Sequence, residues 1–242
     1  MTPLSLFRRQ IAAWGLTLPQ NAEDLLCSFS RLLATYDRAN VVGTKNFDRV
    51  LLDHVLDSLS CLLSSPVAEA VRAADVGSGG GLPGIPLAIA LPHVSLTLVE
   101  STRKKSAFLG HAAERLDLTN VEVANKRVES AAHDPSLRAT YDVCTARAVA
   151  RLSVLAEYCL PLLRVGGHAV AMKGPGSAEE YEEGERAARL LGGKLTQTIE
   201  VPLLPETEQK TRRLIVLEKT AETPGVYPRR VGIPSKIPLG QR

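Results

Sequence analysis

Aromatic residues are scarce, at 4% of the chain, which argues against a module that grips single-stranded nucleic acid mainly by base stacking. Cysteine is scarce too: Cys27, Cys61, Cys144 and Cys159 form no C-x-x-C pair and no cluster with histidine. No metal site is therefore expected, and reduced thiols in a cytoplasmic protein are. Long apolar runs are missing, so no segment is expected to span a bilayer. Met1 to Gly15 carries Arg8 and Arg9 without an uninterrupted apolar stretch and does not read as a signal peptide. Charge of one sign is lacking as well. The 29 Lys and Arg against 26 Asp and Glu leave a net +3, compatible with an RNA partner without pointing to one. With 242 residues, 45% of them hydrophobic, the chain suits one α/β domain with an appendage.

Glycine is what the chain concentrates in one place. Ala73 to Pro86 reads as a short buried strand, a turn through Gly77, Gly79, Gly80 and Gly81, and a helix with Pro83 at its first position. A helix N-terminus behind a glycine turn offers free N–H groups and partial positive charge to an anionic ligand group. That pattern suits a nucleotide-like cofactor, and three frames compete for it. The phosphate loop of NTPases fails because no Lys-Ser or Lys-Thr follows the glycines. The dinucleotide pattern G-x-G-x-x-G can be laid on Gly79, Gly81 and Gly84, but it starts two residues past Gly77, where the strand already ends. Asp75-x-Gly77-x-Gly79-x-Gly81 sits in the natural frame and resembles the D/E-x-G-x-G-x-G motif of class I S-adenosylmethionine (AdoMet) methyltransferases. Glu100 closes the β-rich run of Leu96 to Val99, roughly 20 residues on, where a Rossmann-like fold hydrogen-bonds a ribose diol.

Three stretches follow from the periodicity. Residues 1–70 lack strand alternation and read as a helical extension, with Asn21 capping a helix that carries Leu25, Leu26, Phe29, Leu32, Leu33 and Tyr36 at helical spacing. A second helix starts near Asp48, with Leu51, Val55, Leu59 and Leu62 on one stripe. Residues 71–220 alternate strands (73–77, 94–99, 121–124, 141–145, 167–173, 194–201 and 213–219) with helices (83–91, 103–116, 152–162 and 178–191). The expected fold is α/β, a mostly parallel seven-stranded sheet with helices on both faces and an antiparallel final strand. Residues 221–242 form a Pro-rich tail with Arg229, Arg230, Lys236 and Arg242 and no acidic residue after Glu222. Such a tail is either a solvated disordered end or an extended arm for a polyanion, ordering on RNA.

Other residues carry two readings each. Arg147, just past a strand end, suits a cofactor carboxylate or an RNA phosphate, and equally a surface ion pair. His54, Asp57 and Ser58 share one helix face and read as a hydrogen-bonded brace in preference to a hydrolase trio. Arg103, Lys104 and Lys105 open a helix, as a solvated face or a phosphate contact. Lys173 ends a strand, as an RNA contact or a structural group. Glu129 alone reads as an acid at a helix start.

Several motifs together resemble the RsmG (GidB) family, bacterial methyltransferases that modify a guanine N7 in the 530 loop of 16S ribosomal RNA. Gly77 to Leu87, with Leu82-Pro83-Gly84-Ile85-Pro86 as its specific part, resembles the family's extended glycine motif. His54-Val55-Leu56-Asp57-Ser58 is similar to R-H-x-x-D-S, Ala146-Arg147-Ala148 to S-R-A, and Met172-Lys173-Gly174 to the K-G strand end. Tyr227 to Lys236 resembles the basic Pro-rich tail of part of the family. Asp53 stands where the family usually has Arg, Ala146 where it has Ser, and Asn40-Val41-Val42 replaces Asn-Leu-Thr. The resemblance implies a class I AdoMet-methyltransferase fold and AdoMet held by Gly77, Gly79, Gly81, Leu82, Glu100, Val128, Glu129 and Arg147. It further implies Arg147 and Lys173 in the reaction centre, Arg103, Lys104, Arg229, Arg230 and Lys236 on RNA, and 16S rRNA or the 30S subunit as partner. An oxidoreductase using the Gly79/Gly81/Gly84 frame, a methyltransferase with another acceptor, and a non-catalytic RNA-binding assembly factor are the competing functions.

Overall fold

The computed structural model describes residues 2–147, 150–206 and 211–241; Ala148 of the Ala146-Arg147-Ala148 segment and Arg242 of the tail lie outside them. Thr2 opens α1 (Pro3–Ala13) by accepting the Ser5 N–H. Helix α2 (Ala22–Thr35) begins after Asn21 as expected, but Asn21 makes no side-chain cap, because its own backbone is already helical (φ −93°, ψ −1°). The second stripe becomes one continuous helical path: α3 (Phe47–Arg49), a π-helical stretch Val50–Leu56, α4 (Asp57–Leu59) and a 3₁₀ stretch Ser60–Leu63, followed by α5 (Ser65–Ala68).

The rest alternates: β1 (Arg72–Val76), α6 (Gly84–Ala90), β2 (Ser95–Val99), α7 (Arg103–Arg115), β3 (Val121–Ala124), α8 (Val128–Ala131), β4 (Tyr141–Arg147), α9 (Leu152–Cys159), β5 (Leu163–Lys173), α10 (Ala178–Leu190), β6 (Gly193–Glu200) and β7 (Arg213–Lys219), with α11 (Ile233–Lys236) in the tail. One seven-stranded sheet runs in the order β3-β2-β1-β4-β5-β7-β6. Strands β1 to β5 pair in parallel, while β7 lies antiparallel between β5 and β6. Strand β5 starts at Leu163, earlier than its hydrophobic run suggests, because Leu163 pairs with Tyr141 ahead of a register shift whose extra residues lie in β5, before His168. Pro83 stands just before α6 instead of inside its first turn, behind a cis Leu82–Pro83 bond.

Period-two alternation sends strand residues to opposite faces. Ala73, Val143, Val170 and Leu214 join the core under the N-terminal helices, α6 and α7, while Ala74, Cys144, Ala171 and Ile215 join the core under α9 and α10. Phe29, Leu33 and Val55 from the helical extension share the first of these cores with Ile85 and Leu98, so the extension is packed into the sheet's own hydrophobic face. Trp14 Nε1 and Gln10 Nε2 both donate to the Pro202 carbonyl, tying α1 to the loop after β6.

The tail is not a solvated, disordered end, since it packs back on the domain. Arg138 donates to the carbonyls of Thr223 and Tyr227, and Tyr227 and Leu239 cover the second core. Prolines and like charges remove the period that would reveal a packed face, and the partners that hold the tail lie far off in sequence.

The glycine turn touches the extension at one point. A Cβ on Gly80 would stand 2.2 Å from the Val41 carbonyl oxygen, a backbone atom that cannot swing away. Gly80→Ala is therefore expected to destabilise the fold by about 1–3 kcal/mol, the usual range for overpacking. Urea denaturation checks this, and an unchanged midpoint would show that residues 40–42 do not sit on the turn.

Candidate active site

Open parallel sheets bind ligands beyond the carboxyl ends of their strands, at the point where the strand order reverses. Here that point lies between β1 and β4, and the glycine turn leaves β1 there. Gly77, Gly79 and Gly81 take φ of 71°, 56° and 81°, a region that costs other residues strain. The N–H groups of Gly77 and Ser78 donate to the Val99 carbonyl, at 2.9 and 3.1 Å. Glu100 then bridges the turn to the next helix: Oε2 accepts from Gly79 N–H at 2.9 Å and Oε1 from Thr102 N–H at 2.6 Å. Beneath the turn, buried Asp75 accepts from the Gly84 N–H at 3.2 Å and the Thr145 hydroxyl at 3.1 Å, and burial pushes its carboxyl up to about 6.

Gly84 sits in α6, where a Cβ would lie 2.3 Å from Leu98 Cδ2 and 2.9 Å from Asp75 Oδ2. Its missing side chain serves helix-on-strand packing, the same role the third glycine plays in the dinucleotide frame, so Gly84 does not separate the two cofactors.

A cavity of about 230 Å³ opens beside the turn, lined among others by Gly77, Glu100, Lys126, Val128 and Glu129. Glu129 is 4% exposed. Ala150, Tyr158 and Ser235, none of them anticipated, complete the wall. Gly79 borders this space through its bond to Glu100. Gly81 and Leu82 turn inward, since the Cβ position of Gly81 is crowded by Ile85 and Leu109, and Leu82 packs on the first core.

Arg147 and Lys173 do not line that cavity. They face a second one of about 250 Å³ with Asp57, Met172 and Arg212, and Ala150 lines both cavities. Arg147 is fixed from the π-helical stretch: its Nη1 donates to the His54 carbonyl at 3.0 Å, its Nη2 to the Asp53 carbonyl at 3.1 Å, and Nη2 also lies 2.9 Å from His54 Nδ1. Asp57 Oδ2 stands 3.2 Å from the same nitrogen at ion-pair distance without hydrogen-bond alignment, while Asp57 Oδ1 accepts from Arg212 Nε at 2.9 Å. Burial raises the Asp57 carboxyl and lowers the Arg147 guanidinium, in each case against the attraction of the partner. Such a pair orients more than it stabilises. Ser58 Oγ donates back to the His54 carbonyl within the helix, so the three residues brace Arg147 and form no hydrolase relay. Asp53 contributes its backbone carbonyl here and turns its side chain to Arg49, which explains how an acid is tolerated where the family has Arg. Lys173 donates to the Ala150 carbonyl and pairs with Glu180 at 2.5 Å.

Of the basic residues, Arg103 and Lys104 open α7 in solvent, and Arg230 and Lys236 are exposed on the tail. Arg229 is engaged elsewhere, on the carboxylate of Glu157, which is fully buried. Arg212 escaped the sequence reading because its partner Asp57 lies 155 residues away. Tyr158 and Ser235 escaped it because only folding of the tail brings them together.

The strand order, the antiparallel seventh strand, the glycine turn after β1 and the acid after β2 define a class I methyltransferase fold. The O-methyltransferase TomG from Streptomyces achromogenes, solved with SAM, shares it: TM-score 0.55 at 17% identity, over 91% of this chain and 100% of TomG. Over residues 22–210 the sequence matches the family described as rRNA small subunit methyltransferase G. It is 57% identical to the ribosomal RNA small subunit methyltransferase G of Rubrobacter xylanophilus, over 96% of this chain and 90% of the relative. With the protein of that name from Bacillus cytotoxicus it shares 36% identity, over 96% and 97%. The chain belongs to the rRNA small subunit methyltransferase G family. Among the described residues no helix is long and apolar enough to cross a membrane.

The brace has a pH signature. Burial, with Arg147 adding to it, pushes His54 down from 6.5 to about 4. The unfolded chain therefore binds this proton first as pH falls, so stability present above the ordinary value is lost on the way down towards 4. Between pH 7 and about pH 5 this group is expected to cost about 1 kcal/mol, roughly half the full shift because the imidazole is partly screened by solvent. Chemical denaturation of the wild type and of His54→Gln at the two pH values checks it. An equal change in both proteins would exclude His54 as the source.

Proposed function

We propose that the chain methylates N7 of a guanine in the 530 loop of 16S rRNA (527 in the usual numbering), using AdoMet. The acceptor is the rRNA itself or the 30S subunit, met in the cytoplasm. The observation that carries this reading is that a carboxylate-lined cavity and a guanidinium-lined one adjoin the same residue, Ala150. The donor set of the first fits the cofactor: carboxylates suit a ribose diol and an amine, and a glycine turn leaves room for close backbone approach.

In this assignment Glu100 accepts from the ribose hydroxyls, Val128 and Glu129 frame the adenine, and the turn at Gly77 and Gly79 runs along the methionine portion, with Gly81 and Leu82 shaping it from the core side. When bound, AdoMet supplies a methyl group made electrophilic by its sulfonium. Guanine N7 carries a free lone pair, so the chain needs no general base; its residues hold the reactants in line and keep water out. Arg147, Lys173 and Arg212 give the second cavity positive charge for an acceptor phosphate or the cofactor carboxylate. Arg103, Lys104, Arg230 and Lys236 extend that charge over the surface, while Arg229 serves by docking the tail. Family membership supports the rRNA acceptor over a small molecule and AdoMet over NAD(P).

Titration calorimetry with AdoMet, S-adenosylhomocysteine and NADH tests the cofactor. Micromolar binding of the two adenosyl ligands is expected, with none of NADH, and Gly79→Arg should abolish it. NADH binding, or silence from all three ligands, would reject the assignment. Arg212→Ala is expected to slow methyl incorporation into undermodified 30S subunits by about two orders of magnitude, as loss of one preorganised contact does, with S-adenosylhomocysteine affinity retained. An unaltered rate would place the acceptor elsewhere.

A further inference from the structure

The C-terminal segment is anchored at both ends and leans on the first cavity between them. At its start His133 Nε2 lies 2.7 Å from the Pro228 carbonyl. Arg229 then gives its backbone N–H to Glu157 Oε1 at 2.8 Å and its guanidinium to both carboxylate oxygens. Glu157 is fully buried, so undocking the tail would strand a charge in the interior, which costs far more than a surface pair. At the other end Arg186 Nε donates to the Gly240 carbonyl at 2.8 Å, and a Cβ on Gly240 would stand 2.3 Å from the Glu183 carbonyl oxygen. Between the anchors, the Gly232 N–H donates to Glu129 Oε1 at 2.8 Å. Ser235 lines the cavity mouth, and the Tyr158 phenol, 8% exposed, has Glu129 and Ser235 as polar neighbours.

We propose that Gly232–Lys236, together with Tyr158, is a working wall of the cofactor cavity, so that the tail binds the adenosyl ligand as well as serving RNA. Gly232 fixes one oxygen of Glu129 and so aims the carboxylate. Ser235 and Tyr158 close the side of the cavity that the glycine turn leaves open. Exposed Arg230 precedes this wall and exposed Lys236 ends it, which places the tail's cations and its cofactor contacts within one short segment. Linkage makes the effect reciprocal: whatever binds the docked tail better than the undocked one also holds it down. The inference rests on the reading that this cavity takes an adenosyl sulfonium or its thioether product.

S-adenosylhomocysteine is titrated into the wild type, Gly79→Arg, Ser235→Trp and the chain ending at Thr223, with circular dichroism to verify folding. Ser235→Trp and the truncated chain are each expected to bind about tenfold more weakly than the wild type, or worse. Because Ser235 is exposed, its tryptophan variant is expected to fold even if the truncated chain does not. S-adenosylhomocysteine should also slow tryptic cleavage after Arg229, Arg230 and Lys236 in the wild type. Wild-type affinity in Ser235→Trp, with binding lost in Gly79→Arg, would overturn the inference while leaving the cofactor assignment intact. No binding to the wild type would remove both.

Discussion

The buried carboxylate of Asp75 is the tie on which the site depends. It stands at the end of the central strand β1 and holds the start of α6 through the Gly84 N–H and the neighbouring strand β4 through Thr145. Three elements thus meet at one side chain directly under the glycine turn. An isolated carboxylate at this depth would be prohibitive, and burial does raise its pKa, but the hydrogen bonds it accepts keep it in place. The arrangement also demands a glycine at position 84, because any Cβ would collide with Leu98 and with the carboxylate itself. From this knot follow the aim of the turn, the position of Glu100 and the opening of the first cavity.

A second polar knot, around Arg147, sets the other cavity. Arg147 donates to the backbone carbonyls of Asp53 and His54 in the π-helical stretch, and the His54 carbonyl also accepts from the Asp57 N–H and the Ser58 hydroxyl. Asp57 balances Arg147 and Arg212 together, leaving excess positive charge at the cavity. Both the pair's burial and its pKa directions say that this cluster is held by the fold for its geometry. The helical extension is therefore part of the site, and its hydrophobic stripes exist to press these carbonyls against the end of β4.

Much of the fold was legible because strands of period two and helices of period 3.6 are separated by clear turns. Strands β3 and β7 fall where the pattern puts them, and the early start of β5 comes from pairing, which no single segment can announce. In the candidate site, Gly77, Glu100, Val128 and Glu129 gather round one cavity, while Arg147 and Lys173, grouped with the cofactor or the reaction by strand-end position and motif, face the second. Arg229 was legible as a cation but not as the partner of Glu157, since a charge in a Pro-rich tail looks the same whether it meets solvent or a buried acid.

By itself the sequence determined the order of strands and helices, the glycine turn with its acid one strand later, and the family, because each is written in local spacing or in contiguous motifs. The tertiary structure alone decided that Arg212 joins Asp57, that the tail folds back to bring Ser235 to Tyr158, and that Ala150 lines both cavities. Those contacts join residues far apart along the chain, and they form only where packing and buried charge leave a single partner within reach.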